Sequence, residues 1–302
     1  MHHKTCPLCE SDQIFLHLSC TDHFLSKEVF NLNRCGDCGF VFTQDYPDEN
    51  EAGRYYESED YISHSDTSKG LSNKLYRIVR SLMLQRKSAL VRNVTGLKKG
   101  TLLDIGTGTG HFAAAMKKAG WQVNGIEINE KARVHSSTRF GLEIISPEQI
   151  STLASDSFDC ITLWHVLEHF HDPLNYTSEI MRLLKPGGLC LIALPNCNSY
   201  DAEYYGKYWA AYDVPRHLWH FSTLSFGLFM KKTGGVAGDI RTLPLDVFYI
   251  SILSERYKGT KLPFMTGILK GMYFSLLTVI NRKRSSSIIY LMRKPTTFPH
   301  SS

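Results

Sequence analysis

From residue 101 onward, short apolar runs alternate with stretches whose apolar residues recur at helical spacing. The runs TLLDI, WQVNGIEI, LEII, FDCITLW and LCLIAL have the length and composition of strands, and the segments between them suit helices. That alternation predicts an α/β fold with a parallel sheet covered on both faces. In the first unit LLDI is the strand, Gly106, Gly108 and Gly110 make the turn, and HFAAAMKKAG is a helix closed by Gly120. Ligands on such sheets bind beyond the carboxyl ends of the strands, near the topological switch, which is where this turn sits. Upstream, LSNKLYRIVRSLMLQRKSALVRNV spaces Leu75, Ile78, Val79, Leu82 and Leu90 as a helix leading into the sheet. DYPDENEAGRYYESEDYISHSD is too acidic and too poor in aliphatics for a core, and reads as a connector. Near the end, MTGILKGMYFSLLTVINRKR sets Met265, Ile268, Leu269, Met272, Tyr273, Leu276, Leu277 and Ile280 at helical spacing, with Thr266, Lys270 and Thr278 off that stripe.

The chain has 302 residues, 43% of them hydrophobic, which is enough for a sizeable core. Its formal charge of +5 is mildly basic and spread out, apart from Arg282, Lys283 and Arg284, a weak sign of an anionic partner. The start MHHKTCPLCE lacks the apolar stretch of a secretory signal, so a cytoplasmic location is expected and the eight cysteines are not expected to form disulfides.

Four cysteines are paired by spacing: Cys6 with Cys9, and Cys35 with Cys38. Two such knuckles across a hairpin-sized insert offer four thiolates to one tetrahedral zinc, a closed site that scaffolds or binds but does not catalyse. Gly36 and Gly39 are expected to supply the positive φ that turns backbone amides toward the sulfurs. Cys20, Cys160, Cys190 and Cys197 lack any such spacing and read as buried or incidental thiols.

The glycine turn does not match the dinucleotide fingerprint, because the third required glycine falls on His111, and no lysine-serine or lysine-threonine ending marks a phosphate loop. A carboxylate, Asp104, precedes the first glycine, and Glu127 ends the next strand, where ribose hydroxyls are usually held. A carboxylate at the turn repels phosphate and suits an ammonium or sulfonium group. This pattern favours S-adenosylmethionine.

The run LLDIGTGTGHF, followed by VNGIEIN, FDCITLWHVLEHFHDP, RLLKPGGLCLIALPN and VPRHLWHFS, resembles the class I S-adenosylmethionine-dependent methyltransferases over residues 70–294. The resemblance implies a Rossmann-like seven-stranded sheet whose last strand, SIIYLMR, is antiparallel. It also implies that Gly106, Gly108 and Gly110 approach the cofactor, that Asp104 lies near its amino-acid part and that Glu127 takes the ribose hydroxyls. Thr107, Ile128, Trp164 and His165 are counted on the same cofactor rim, and Glu148 is a weaker candidate for the adenine end. The organisation expected is a zinc ribbon over 1–46, a linker over 47–69, and the methyltransferase domain over 70–294 with an insertion at about 246–284.

Methyl transfer needs the acceptor oriented and its proton removed, which draws attention to histidines. WHVLEHFHD sets His165, Glu168 and His169 three and four apart, so one helical face could present all three. Ubiquinone-type O-methyltransferases, which this segment resembles, carry E-x-x-E-H there and hold a divalent cation; here His165 replaces the first glutamate. His165 is read as cofactor-contacting or basic. Glu168 and His169 are read either as a cation site or as hydrogen-bonding buttresses of the loop. The second constellation, YYGKYWAAYDVPRHLWHFS, falls where the family places its acceptor-binding insert, with His217 or His220 as general base. The alternative there is that Trp209, Trp219 and Phe221 are core and one histidine caps the next helix at Ser222. Tyr55, Tyr56, Tyr61 and His64 resemble the aromatic segment that closes over substrate in sugar-nucleotide C-methyltransferases, though the long C-terminal extension of those enzymes is not seen here.

The expected function is therefore methyl transfer to an oxygen, with a histidine base, of a small-molecule or lipid- or glycan-linked acceptor. An RNA methyltransferase gripping nucleic acid with the ribbon is the alternative; LWHVLEH in place of an N-P-P-Y-like sequence and the few positive residues between Cys6 and Cys38 count against it. A silent binding module is a third, opposed by the intact turn and Glu127. The helix over 265–280, with its basic run to 284, could contact a membrane peripherally, or pack on the sheet or a second subunit.

Overall fold

The computed structural model describes residues 1–56 and 71–296, with the side chains of 71–79 left out. Tyr61 and His64, the rest of the linker expectation over 57–69, and the side-chain stripe of Leu75, Ile78 and Val79 lie outside the described residues. A hairpin opens the chain, β1 (Ile14–Thr21) with β2 (Val29–Cys35), then β3 (Val41–Thr43) and the short α1 (Glu49–Ala52). The helix α2 (Leu71–Thr95) leads into β4 (Thr101–Ile105), α3 (His111–Lys118), β5 (Gln122–Ile126), α4 (Glu130–Phe140) and β6 (Glu143–Ile145). Then come β7 (Phe158–Trp164), α5 (Pro173–Leu183), β8 (Leu184–Pro195), α6 (Tyr200–Tyr205), β9 (Trp219–His220), α7 (Thr223–Lys232) and β10 (Val236–Thr242). A helical hairpin, α8 (Asp246–Tyr257) and α9 (Pro263–Ile280), precedes the last strand, β11 (Ser287–Arg293).

The main sheet has seven strands in the order β10-β11-β8-β7-β4-β5-β6, and β11 runs antiparallel to both neighbours, as SIIYLMR was expected to do. Alternation along each strand divides the core. Leu103, Ile105, Ile161, Leu163, Ile192 and Leu194 face one side, against Ile180 and Leu183 of α5 and Phe226 and Phe229 of α7. Leu102, Cys160, Leu189 and Leu191 face the other, against Val91 of α2 and Phe112 and Met116 of α3.

The cysteine ribbon is not a detached appendage. Its sheet, β1-β2-β3, is completed by β9 from far downstream, with Val41 paired to His220 and Phe42 to Trp219. Its inner residues, Phe40 and Phe42, join the core of the main sheet, while Cys20, Leu32 and Val41 pack with Trp209, Tyr212 and Val214 and with Val247 and Ile250 of α8. A structural wedge results, with the ribbon locked between the sheet and the α8–α9 hairpin.

Candidate active site

Two knuckles bring the four cysteine sulfurs within 4.8 Å of one another. Cys6 and Cys38 are 3.6 Å apart and Cys9 and Cys35 3.5 Å apart. A tetrahedral zinc with bonds of ~2.3 Å sets its sulfurs about 3.8 Å apart, so the donor set fits that ion. The backbone N–H groups of Leu8 and Cys9 point at Cys6, and those of Asp37 and Cys38 at Cys35. Gly39 has the expected positive φ of 71°, but Gly36 does not; the residue that matches Gly39 in the first knuckle is Glu10, at 67°. A Cβ at Gly36 would lie 3.0 Å from the exposed Phe15 ring, a close fit that a small shift of that ring relieves.

The three glycines of the turn after β4 all have positive φ, yet they serve different ends. A Cβ on Gly106 would stand 2.3 Å from Val166, and one on Gly110 2.8 Å from Ser136. On the Cβ side both positions are closed by protein. Gly108 alone opens on free space, with nothing within 4 Å of its Cβ position. Its N–H donates to Glu127 Oε2 at 2.7 Å, and Asn129 N–H donates to Oε1 at 2.9 Å. Backbone donors thus hold the Glu127 carboxylate in one orientation at the edge of the open space. Thr107, expected on the cofactor rim, turns inward: its hydroxyl donates to Asp104 O at 2.7 Å and its Cβ lies against Gly125. Ile128 is 77% exposed at the outer lip, and Glu148 is exposed on the turn after β6.

Asp104 is buried beneath the turn and accepts from Thr162 Oγ1 at 2.7 Å. Burial pushes its carboxyl up to about 7, although the Thr162 bond and the charge of Lys87 pull the other way. Lys87 was not singled out from the sequence. It reaches from α2 over the Trp164 ring, 4.1 Å from the centroid, and burial lowers its ammonium against the pull of Asp246 and Asp104. Its signal was present in the helical spacing: Leu84, Lys87 and Val91 fall on one face, so a lysine occupied an otherwise apolar stripe.

His165, Glu168 and His169 do not share a helical face. His165 follows β7 in the left-handed region, φ 59°, and only a single 3-10 turn, Leu167–His169, comes after it. A non-glycine residue there stores strain, which persists only where surrounding contacts impose it. Those contacts are Asp246, the first residue of α8, 3.0 Å from Nε2, and Glu168, 3.5 Å from Nδ1. Burial works against a charged His165, but the two carboxylates prevail and raise it to about 9. That direction favours the protonated ring and weighs against His165 as the base. Val166, the next residue, fills the gap over Gly106 and joins this loop to the glycine turn.

Glu168, His169 and His217 present one ligand atom each within 4.8 Å of one another. His169 Nδ1 lies 3.0 Å from the Arg216 carbonyl and 3.0 Å from Tyr56 Oη, and His217 Nδ1 lies 2.9 Å from the Ala211 carbonyl. A carbonyl can only accept, so both rings donate from Nδ1. Glu168 is buried, and neither of its carboxylate oxygens has a hydrogen-bond partner among the described residues. Burial pushes Glu168 up, but His165 and the neighbouring histidines bring it below the ordinary carboxylate range. Burial, then His217, lowers His169 to about 4, so its ring is neutral.

His220 does not join them. It is buried in β9, its Nε2 3.0 Å from Thr43 Oγ1, and burial holds it well below the usual histidine value, so it serves the ribbon junction and not as a base. Trp209, Trp219 and Phe221 are core, and α7 is capped by the Ser222 hydroxyl, with no histidine involved. Arg216 ties the cluster to the ribbon. Its guanidinium donates to Asp22 at 2.9 Å, to Asp213 at 2.6 Å and to the Tyr55 carbonyl at 3.1 Å, so this buried charge is fully paired.

A family model described as "Methyltransferase domain" matches residues 78–235. The ubiquinone biosynthesis O-methyltransferase of Thiobacillus denitrificans is 35% identical over 105 residues, 32% of this chain and 45% of that protein. That of Histophilus somni is 31% identical over 134 residues, 40% of this chain and 56% of its own length. The chain thus spans about half the length of these curated relatives. A solved structure from Galdieria sulphuraria, described as a candidate sarcosine dimethylglycine methyltransferase, superposes with a TM-score of 0.50 at 17% identity, covering 72% of this chain and 88% of its own. The matched region holds the glycine turn and the histidine cluster; the ribbon and the α8–α9 hairpin lie outside it.

Proposed function

The chain belongs to the class I S-adenosylmethionine-dependent methyltransferases, and from that premise we propose that it methylates an oxygen of a small-molecule or lipid-linked acceptor, with a histidine taking the acceptor's proton. The observation that carries this reading is the adjacency of an open, glycine-lined space beside Glu127 and a pair of histidines, each with Nδ1 against a backbone carbonyl, grouped with Glu168. S-adenosylmethionine supplies a methyl group already activated on a sulfonium. Glu127 is placed to accept from a hydroxyl pair at the lip of the turn, and the buried Asp104 to favour a cation near its base. His217 or His169 accepts the proton of the acceptor hydroxyl, and Glu168 beside them compensates the charge that the ring acquires.

Two imidazoles with Nδ1 against carbonyls, beside the buried Glu168 carboxylate, also form a donor set for a divalent cation. The ligands would be Glu168, His169 and His217, with His165 as counter-charge to Glu168 and not a ligand. Such a cation would supply a lowered pKa to a bound hydroxyl. A second reading, sugar-nucleotide C-methylation, is favoured by Tyr56, which follows the ribbon and places its hydroxyl 3.0 Å from His169. The RNA reading gains no support: β9 covers the β3 edge of the ribbon, so that edge is not available to a nucleic acid.

Transfer of a tritiated methyl group to cell fractions separated into lipid, nucleic acid, sugar nucleotide and protein tests the reading. Gly108→Val should abolish labelling and donor binding together. His217→Ala should lower the rate by about 10²–10⁴-fold while donor affinity stays within threefold. Labelling that survives Gly108→Val would refute the site. Binding of Mn²⁺, followed by water-proton relaxation and lost in Glu168→Gln, separates the cation from the free-base route.

A further inference from the structure

The α8–α9 hairpin presents two unlike faces. Against the body, α9 comes so close to α8 that a Cβ on Gly267 would stand 2.5 Å from the Ile252 backbone and one on Gly271 2.6 Å from Phe248. Phe274 is buried on the same side, against Tyr204 and Tyr205. The outward face is apolar and uncovered. Met265, Leu269, Met272, Leu276 and Val279 recur at three and four residues, and their exposure ranges from 45% at Met272 to 79% at Val279. Phe264, Tyr273 and Ile280 widen the stripe, each more than half exposed. Contiguous apolar patches of this extent mark contact with a partner or a lipid phase.

The charges around the stripe select between those partners. From 256 to 284 the chain has seven basic residues and no acidic one. Arg256, Lys258 and Lys261 precede α9, Arg282 and Lys283 follow it, and all five are exposed. Lys270, the lone charge within the helix, folds off the stripe onto the Tyr204 ring, 4.2 Å from its centroid, and Arg284 is engaged by Glu203. An apolar stripe between two basic ends matches a helix lying flat in the boundary layer of a membrane, its side chains among acyl chains and its cations among anionic headgroups. Among the described residues α9 is the one helix long and apolar enough to cross a bilayer. At ~1.5 Å per residue, however, its 18 residues reach about 27 Å, less than a hydrocarbon core of ~30 Å, and its inner face is already committed to α8.

We infer that the outward face of α9, with the basic residues at both its ends, docks this protein on an anionic lipid surface. The inference is independent of the methyl-transfer reading. It adds that α8, whose first residue Asp246 holds His165, is the strut between that surface and the site.

Flotation of the purified full chain with vesicles tests it. The protein should rise with phosphatidylglycerol–phosphatidylcholine vesicles at low salt, at least tenfold less with phosphatidylcholine alone, and less as salt increases. The Leu276→Glu/Val279→Glu double variant should lose at least tenfold of the flotation while its thermal melting and donor binding are unchanged. Absence of flotation on anionic vesicles, equal flotation of the double variant, or a dimer in light scattering that the double variant disperses would each overturn the proposal, the last by assigning the face to a second copy of the chain.

Discussion

The glycine turn and the histidine cluster lie side by side, joined where Val166 packs on Gly106, but they are built by opposite means. The turn is a local object. Residues 104–110 and Glu127 come from one strand-helix-strand unit, and its key contact, Gly108 N–H to Glu127, is made by backbone. The cluster is assembled from distant segments: Tyr56 after the ribbon, His165–His169 after β7, Arg216 and His217 before β9, and Asp246 opening α8. Its members are side chains, and their rotamers are set by partners elsewhere in the chain. Donor binding should therefore be insensitive to the ribbon and the hairpin, while acceptor chemistry should depend on both.

The largest effect expected from that contrast would follow loss of a zinc held by Cys6, Cys9, Cys35 and Cys38. Closure of four-cysteine sites contributes on the order of 10 kcal/mol to folding of the module, and here the module carries β3, Asp22 and the residues that hold Arg216. Chelation, or Cys9→Ser, should lower transfer more than 100-fold and melt the chain at markedly lower temperature, yet shift donor affinity by less than about threefold in calorimetry. Equal loss of donor binding would show that the two halves are not separable.

A smaller, pH-dependent effect belongs to the donor half alone. Asp104 has a carboxyl raised from 3.8 to about 7 by burial. The fold prefers it protonated, so its contribution to stability falls as pH rises from about 4 to about 7 and is level above that. A cationic donor prefers it ionised. Donor affinity should therefore rise about tenfold from pH 6 to pH 8, as the ionised fraction grows from about a tenth to about nine tenths. Asp104→Asn should flatten that rise, weaken binding at pH 8, and raise the melting temperature of the donor-free chain there. An unchanged pH profile in the asparagine variant would remove Asp104 from the donor half.

The same contrast explains what could be read from the chain. Strands β4 to β8 announce themselves by apolar runs bounded by turns, the four cysteines by their spacing, and Gly108 and Glu127 by their places at the ends of two adjacent strands. None of these depends on contacts distant in sequence. The reading of WHVLEHFHD as a helical face failed because Asp246 and Glu168 impose a left-handed His165, and nothing within that segment reports on Asp246. His217 and His220 look equivalent as neighbours in VPRHLWHFS. They differ because β3 pairs with one and not the other: a two-residue strand has no periodicity to detect, and its partner is set by the ribbon. Lys87 was detectable as a lysine on an apolar stripe, but its proximity to Asp104 and Trp164 is a product of how α2 crosses the sheet.

The smallest effect probes the seam itself. Thr43 Oγ1 donates to the His217 carbonyl at 2.8 Å and lies 3.0 Å from His220 Nε2, so one hydroxyl in the ribbon fixes the backbone of a cluster histidine and pairs with the buried one. With the hydroxyl proton given to the carbonyl, His220 must be the Nε2–H tautomer and donate in turn. Thr43→Val keeps the shape and strands both partners, which costs about 1–3 kcal/mol and a few degrees of melting temperature. Because His217 is displaced and the glycine turn is not, the maximal rate should fall severalfold while donor affinity stays constant, and Thr43→Ser should restore most of the rate. A Thr43→Val chain with full activity would mean that the ribbon only supports the cluster's surroundings and does not set the position of His217.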